Sequence, residues 1–128
     1  MLEFIKSPNE VLAVKLTGTI TGKDLDAILD RAEDIIAKPG SKLHFYVETK
    51  GIEGIEFAAL PHHFNRSFPL FSKRDRFGRV AVVADQAWMR VLTRFESAAM
   101  PYVSYRVYGP EERKEALDFA FGKELIPA

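Results

Sequence analysis

Three groups of residues in this chain invite a chemical reading. The first is His62-His63. Imidazoles hold metals and move protons, but neighbours on a helix point about 100° apart, so one ion rarely takes both. No H-E-x-x-H pattern accompanies the pair. The plain reading sets one ring near solvent and the other at a helix margin. The catalytic alternative is a hydrolase that uses His62 or His63 with a nearby carboxylate. The second group is Gly51-x-x-Gly54, between a strand and a helix, where phosphates often bind. Glu48, Glu53 and Glu56 surround it, and carboxylates repel phosphate, so a glycine-rich turn is preferred. The third is a run of phenylalanines interleaved with arginines. No G-x-S-x-G elbow, Walker loop or Rossmann fingerprint is present. There are no cysteines, which removes disulfides, thiolate catalysis and cysteine-based zinc sites together. Glu111, Glu112 and Glu115 read as a solvated helix face that favours the dipole. The expectation is a protein without catalytic residues, metal or cofactor.

The aromatic run is the unusual feature. Phe57, Leu60, Phe64, Phe68 and Phe71 recur at helical spacing, and Phe77 follows. Arg66, Lys73, Arg74, Arg76 and Arg79 stand among or after them, and Asp75 is the only acid between Phe57 and Ala84. Three readings stay open. The phenylalanines are core and the basic stretch is a solvated connection. Or they cover a lipophilic pocket for a lipid-like molecule, with basic residues at an anionic head group and Pro61 and Pro69 letting the segment act as a lid. Or they form a docking face for a protein partner, a second copy in a homodimer, or an anionic membrane surface as a peripheral contact. The candidate ligand or partner face is Phe57, Phe64, Phe68, Phe71, Arg66 and Arg74. Trp88 joins them because it follows a strand end of the kind at which α/β sheets bind ligands; its other role is core packing.

Composition sets the bounds. The 128 residues suit one domain, 1–128, and 47% are hydrophobic, enough to bury a core. Formal net charge is zero, with 18 basic and 18 acidic residues, so no overall basic field suits nucleic acid. Met1 to Lys6 is too short and too acidic for a signal peptide, and no apolar run reaches the roughly 18 residues of a transmembrane segment. The expected location is cytoplasmic.

These residues must be positioned by alternating strands and helices. Leu2 to Ile5 reads as a short strand, turned at Ser7-Pro8-Asn9-Glu10 into Val11 to Thr17, where Leu12, Val14 and Leu16 share a face. Thr21 is an N-cap with Asp24 at capping-box spacing, and Leu25, Ile28, Leu29, Ala32, Ile35 and Ile36 form a helical stripe that Pro39-Gly40 stops. Leu43 to Glu48 alternates, and Gly51 and Gly54 mark a loop. Ile55 to Phe71 reads as a helix interrupted by Pro61. Val80 to Ala84 is an apolar run suited to a central strand. Asp85 caps a helix carrying Trp88, Val91, Leu92 and Phe95. Val103 to Val107 is a strand, and Gly109-Pro110-Glu111-Glu112 starts a last helix that Gly122 closes, with Leu117, Ala120 and Phe121 facing inward. The order β-β-α-β-α-β-α-β-α predicts an α/β fold with a mostly parallel sheet, helices packed on it, and the first strand antiparallel at an edge.

That order, with Leu43-His44-Phe45-Tyr46-Val47-Glu48, Arg79 to Trp88, Val103 to Tyr108 and Glu111 to Phe119, resembles the STAS fold, and within it the SpoIIAA-like family. The resemblance covers nearly the whole chain as a pattern. Anti-sigma-factor antagonists of the wider STAS group carry a phosphorylatable Ser in an Asp-Ser motif after the third strand. Here Val47 to Ile55 has no Ser, and its only hydroxyl, Thr49, lies beside Glu48, so that phospho-switch is not carried over. SpoIIAA-like proteins are also similar to the CRAL-TRIO lipid-binding fold. The resemblance thus implies a binding domain for a small hydrophobic or amphipathic ligand, with a STAS-type interaction module as the alternative; fold alone decides neither.

Overall fold

The computed structural model describes residues 1–56, 76–85 and 104–122. Alternating β-branched and aliphatic residues make Val11–Ile20 a long strand, β2, and Leu2–Phe4 pairs with it as β1. The pairing is antiparallel, Leu2 opposite Leu16 and Phe4 opposite Val14, which puts β1 at the edge as expected. The connecting turn is closed by the Val11 amide donating to the Pro8 carbonyl at 3.0 Å and the Ser7 hydroxyl donating to the Val11 carbonyl at 2.8 Å.

Helix α1, Gly22–Ile36, begins where the capping signals stand. The Asp24 amide donates to Thr21 Oγ1 at 3.3 Å, and the Thr21 amide donates to the Asp24 carboxylate at 3.0 Å. This reciprocal pair satisfies two of the amides that a helix start leaves open. Strand β3 is Leu43–Ile55, β4 is Phe77–Val83 and β5 is Ser104–Tyr108. A 3-10 turn at Pro110–Glu112 leads into helix α2, Arg113–Phe121, which ends at Gly122 in the left-handed conformation (φ 79°). The sheet order is β1-β2-β3-β4-β5, with every pair after the first parallel. The helix expected at Ile55 to Phe71 does not begin at Ile55, which closes β3 opposite Ile20; the stretch from Phe57 on, and the helix expected after Asp85, lie outside the described residues.

Both faces of the sheet are covered. Leu12, Val14, Leu16, Leu43 and Phe77 pack with Ala32, Ile35 and Ile36 of α1. On the other face, Val11, Ala13, Tyr46, Ala81 and Val83 pack with Ala116, Phe119 and Ala120 of α2. The inward side of α2 is therefore Ala116, Phe119 and Ala120, with Leu117 and Phe121 at its margin, while Glu111, Glu112 and Glu115 are exposed.

One expectation is corrected. Gly51 and Gly54 do not form a loop: β3 runs through both. The ladder with β2 continues from Thr17–Lys50 to Gly18–Ile52, Thr19–Gly54 and Ile20–Ile55, skipping Gly51 and Glu53. Two bulges absorb the extra residues, and the positive φ of Gly51 (59°) is the conformation a bulge of this kind asks of glycine. Glycine here bends a strand instead of ending it.

Two arginines of the basic run are also committed inside the fold. Arg76 Nε donates to the Ser41 carbonyl at 3.0 Å, and its Nη2 donates to the Lys38 carbonyl and Ser41 Oγ, each at 2.8 Å. It thereby ties the turn after α1 to the start of β4. Arg79 Nη2 reaches the Ala120 carbonyl at 3.4 Å, near the C-terminus of α2. Cations are favoured at such helix ends. Phe77, which follows the phenylalanine stripe, is buried in the α1-side core, edge-on to Phe45 with ring centroids 6.1 Å apart.

Candidate functional site

Period-two alternation sends His44, Tyr46 and Glu48 of β3 to the α2 face, since Leu43, Phe45 and Val47 take the other. In β2 the same alternation gives Val11, Ala13 and then Lys15. Toward the carboxyl ends of the strands this face passes from apolar to charged, and there the polar groups gather. Tyr46 is fully buried, and its hydroxyl donates to Glu48 Oε1 at 2.6 Å. Arg113, in the first turn of α2, donates from Nε to the same oxygen at 2.6 Å. Lys15 Nζ lies 3.9 Å from Glu48 Oε2. The Glu48 side chain is only 12% exposed, whereas that of Arg113 is 52% exposed.

The electrostatics follow from these contacts. Burial works to raise the Glu48 pKa, but the hydrogen bonds from Tyr46 and Arg113, with the charges of Arg113 and Lys15, outweigh it and hold the carboxyl below its usual range. Burial, and then the hydrogen bond to Glu48, push the Tyr46 phenol well above its ordinary value. The bond to Glu48 raises Arg113 further. At neutral pH the trio is a neutral phenol, a carboxylate and a guanidinium.

Beside this trio lies a cleft of about 410 Å³. Among the described residues, Lys15, Glu48, Thr49, Lys50, Gly51, Val83, Asp85, Pro110 and Arg113 line it. It sits beyond the carboxyl end of β4, against the middle of β2 and β3, under the start of α2. Thr49 is turned to the backbone, its hydroxyl donating to the Val83 carbonyl at 2.9 Å. Of the three acids expected around the glycines, Glu48 is neutralised in the trio, and Glu56 accepts from the Gly22 amide at 3.4 Å at the start of α1.

At the amino end of β3, His44 Nδ1 accepts from the Arg79 amide at 2.8 Å. The register there jumps from Leu43–Phe77 to Phe45–Val80, so the ring satisfies an amide that the irregular ladder leaves over. Gly78 makes room for it: a Cβ at that position would stand 2.1 Å from His44 Cε1. Burial first, then the positive charge of Arg79 and a smaller push from Lys42, lower the His44 pKa, against Glu10.

Sequence reasoning singled out Phe57, Phe64, Phe68, Phe71, Trp88, Arg66 and Arg74, together with His62 and His63; all lie outside the described residues. It missed Tyr46, Lys15 and Arg113 as a group and met Glu48 only as an acid near a glycine turn. The signal was available. In a strand covered on both faces, polar residues at 44, 46 and 48 form a column that must find partners. Among the described residues no three His, Asp or Glu side chains are grouped to hold a metal, and no helix is long and apolar enough to cross a membrane.

The family model described as SpoIIAA-like matches residues 11–120. A solved structure of an uncharacterised protein of the DUF3478 family from Shewanella loihica PV-4, with a SpoIIAA-like fold, superposes with a TM-score of 0.64 at 18% identity, covering 94% of this chain and 92% of that one. That likeness speaks for the fold alone. Among curated proteins none matches the chain significantly.

Proposed function

We propose that this chain, which belongs to the SpoIIAA-like family, is a non-catalytic binding domain that takes a small amphipathic ligand in the cleft beyond the carboxyl end of β4. The observation that carries this reading is the cleft of about 410 Å³ between the carboxyl end of β4, the middle of β2 and β3, and the start of α2. Its volume falls in the range of small-molecule sites, and open α/β sheets bind ligands beyond the carboxyl ends of their strands. The cleft also holds a fixed polar group, Glu48 with Arg113, of the kind that orients a ligand.

Binding fits the chemistry better than turnover does. Tyr46 is held as a neutral phenol and Glu48 as a carboxylate, so neither is poised to exchange a proton near pH 7. His44 stands four residues from Glu48 along one strand, about 13 Å away, and its Nδ1 is occupied by the Arg79 amide. The apolar part of the ligand is assigned to Trp88 and the phenylalanine series. Trp88 follows Asp85, a wall of the cleft, by three positions in the sequence. The phenylalanine series begins at Phe57, two residues past the end of β3. The interaction-module reading draws on the basic run, two of whose five residues, Arg76 and Arg79, are spent on backbone carbonyls.

Native and denatured masses of the chain as purified from cells, with analysis of its organic extract, test the proposal. The expected result is one extra small amphipathic molecule per chain in the native mass, recovered in the extract. Identical masses, persisting after incubation with a total lipid extract, would reject it.

A further inference from the structure

We infer that the polar group of the ligand is an oxyanion, a phosphate or a carboxylate, held by Arg113 with Lys15 and Lys50. This rests on the reading of the cleft as a binding site. Charge is the first argument. Two acids line the described part of the cleft, Glu48 and Asp85, against three cations, Lys15, Lys50 and Arg113. Glu48 is also no free negative charge: it accepts from Tyr46 and Arg113, each at 2.6 Å, and lies 3.9 Å from Lys15. The site therefore favours an anion over a cation, most strongly inside a cleft where solvent screening is reduced.

The second argument is the geometry of Arg113. Only its Nε is engaged by Glu48, and the side chain is half exposed and lines the cleft. A guanidinium has five N–H donors in a rigid fork that matches carboxylate and phosphate oxygens two at a time. The Glu48 bond holds that fork in place before any ligand arrives, which lowers the ordering cost of binding. The third argument is the backbone. The bulge takes Gly51 out of the Cα pairing with β2 at positive φ, on the cleft wall. Without a side chain, Gly51 leaves a ligand oxygen room to approach the backbone there.

The test uses the full chain, labelled with nitrogen-15 and titrated separately with octyl phosphate, inorganic phosphate and octylamine. Octyl phosphate should shift the Lys50 and Gly51 amides and the Arg113 Nε signal saturably, and added salt should weaken the binding. Arg113→Gln or Lys50→Gln should weaken it about tenfold, the loss of one charge-assisted hydrogen bond. Lys50 is exposed, so its variant keeps the test available if Arg113→Gln does not fold. Inorganic phosphate shifting the same signals identifies a free oxyanion as sufficient, and octyl phosphate alone doing so identifies a head group on an apolar tail; both support the inference. Octylamine shifting these signals while octyl phosphate does not would overturn the oxyanion and leave the cleft as a site. Shifts from none of the probes would overturn both readings. Unchanged affinity in both variants would overturn the assignment to Arg113 and Lys50.

Discussion

Glu48 is partly buried with two donors on one oxygen, and removing either donor tests how the site is held. Tyr46→Phe keeps the ring and deletes the hydroxyl that donates to Glu48 at 2.6 Å. A hydrogen bond to a charged group is worth about 1.5–3 kcal/mol, so this variant should lose that much in urea unfolding; a change below about 0.5 kcal/mol, the level of an ordinary surface substitution, would show that Arg113 and Lys15 suffice. His44 and Gly78 make a second pair. Gly78→Ala puts a Cβ where the His44 ring lies and should cost about 1–3 kcal/mol, as overpacking does. The same change in a His44→Ala background should cost clearly less, because the obstacle is gone; equal costs in a double-mutant cycle would mean the clash is not with His44. These residues were legible in part. The alternation of β3 named the column at 44, 46 and 48, but nothing in the sequence joined Glu48 to Arg113, because that contact spans 65 positions and needs the sheet order to be known.

At the scale of elements, helix ends carry most of the local specification. Thr21→Ala removes the acceptor for the Asp24 amide and should cost about 1 kcal/mol in thermal or urea unfolding; no loss would mean that the Asp24 carboxylate caps the helix unaided. The boundaries of α1 and the close of α2 at Gly122 were readable because cap chemistry is local. The length of β3 was not, since Gly51 and Gly54 look like punctuation and only pairing with β2 makes them bulges. The junction of β3 with β4 should respond to pH. The folded His44 pKa is lowered from 6.5, so the stabilisation from neutral His44 is complete above about pH 6.5 and is lost as the pH falls through the lower folded value. Wild type should therefore lose stability as pH falls below 6.5, and His44→Gln, which keeps an acceptor for the Arg79 amide without titrating, should lose less there. Parallel curves would assign the slope to other groups. Glu48, lowered from 4.5, adds a second loss only below that value.

At the scale of the whole molecule, strand-helix alternation was sufficient to read a mostly parallel sheet with an antiparallel edge, because crossover connections leave few other arrangements. It was not sufficient to find the cleft. That site is made by the middle of two strands, the end of a third and the start of one helix, whose residues are scattered from Lys15 to Arg113 along the chain. The phenylalanine segment drew notice because its residues are close in sequence, whereas the trio drew none because its members are close only in space. Both belong to the same proposal, the cleft receiving the polar end of the ligand and the aromatic residues its apolar part. A crystal structure of the chain grown with octyl phosphate tests that claim most directly. The phosphate should lie within hydrogen-bonding distance of Arg113 and Lys50, with the Glu48–Arg113 bond intact and the alkyl chain directed toward aromatic side chains. A cleft filled by the protein's own side chains, or a phosphate bound elsewhere with the cleft empty, would contradict it.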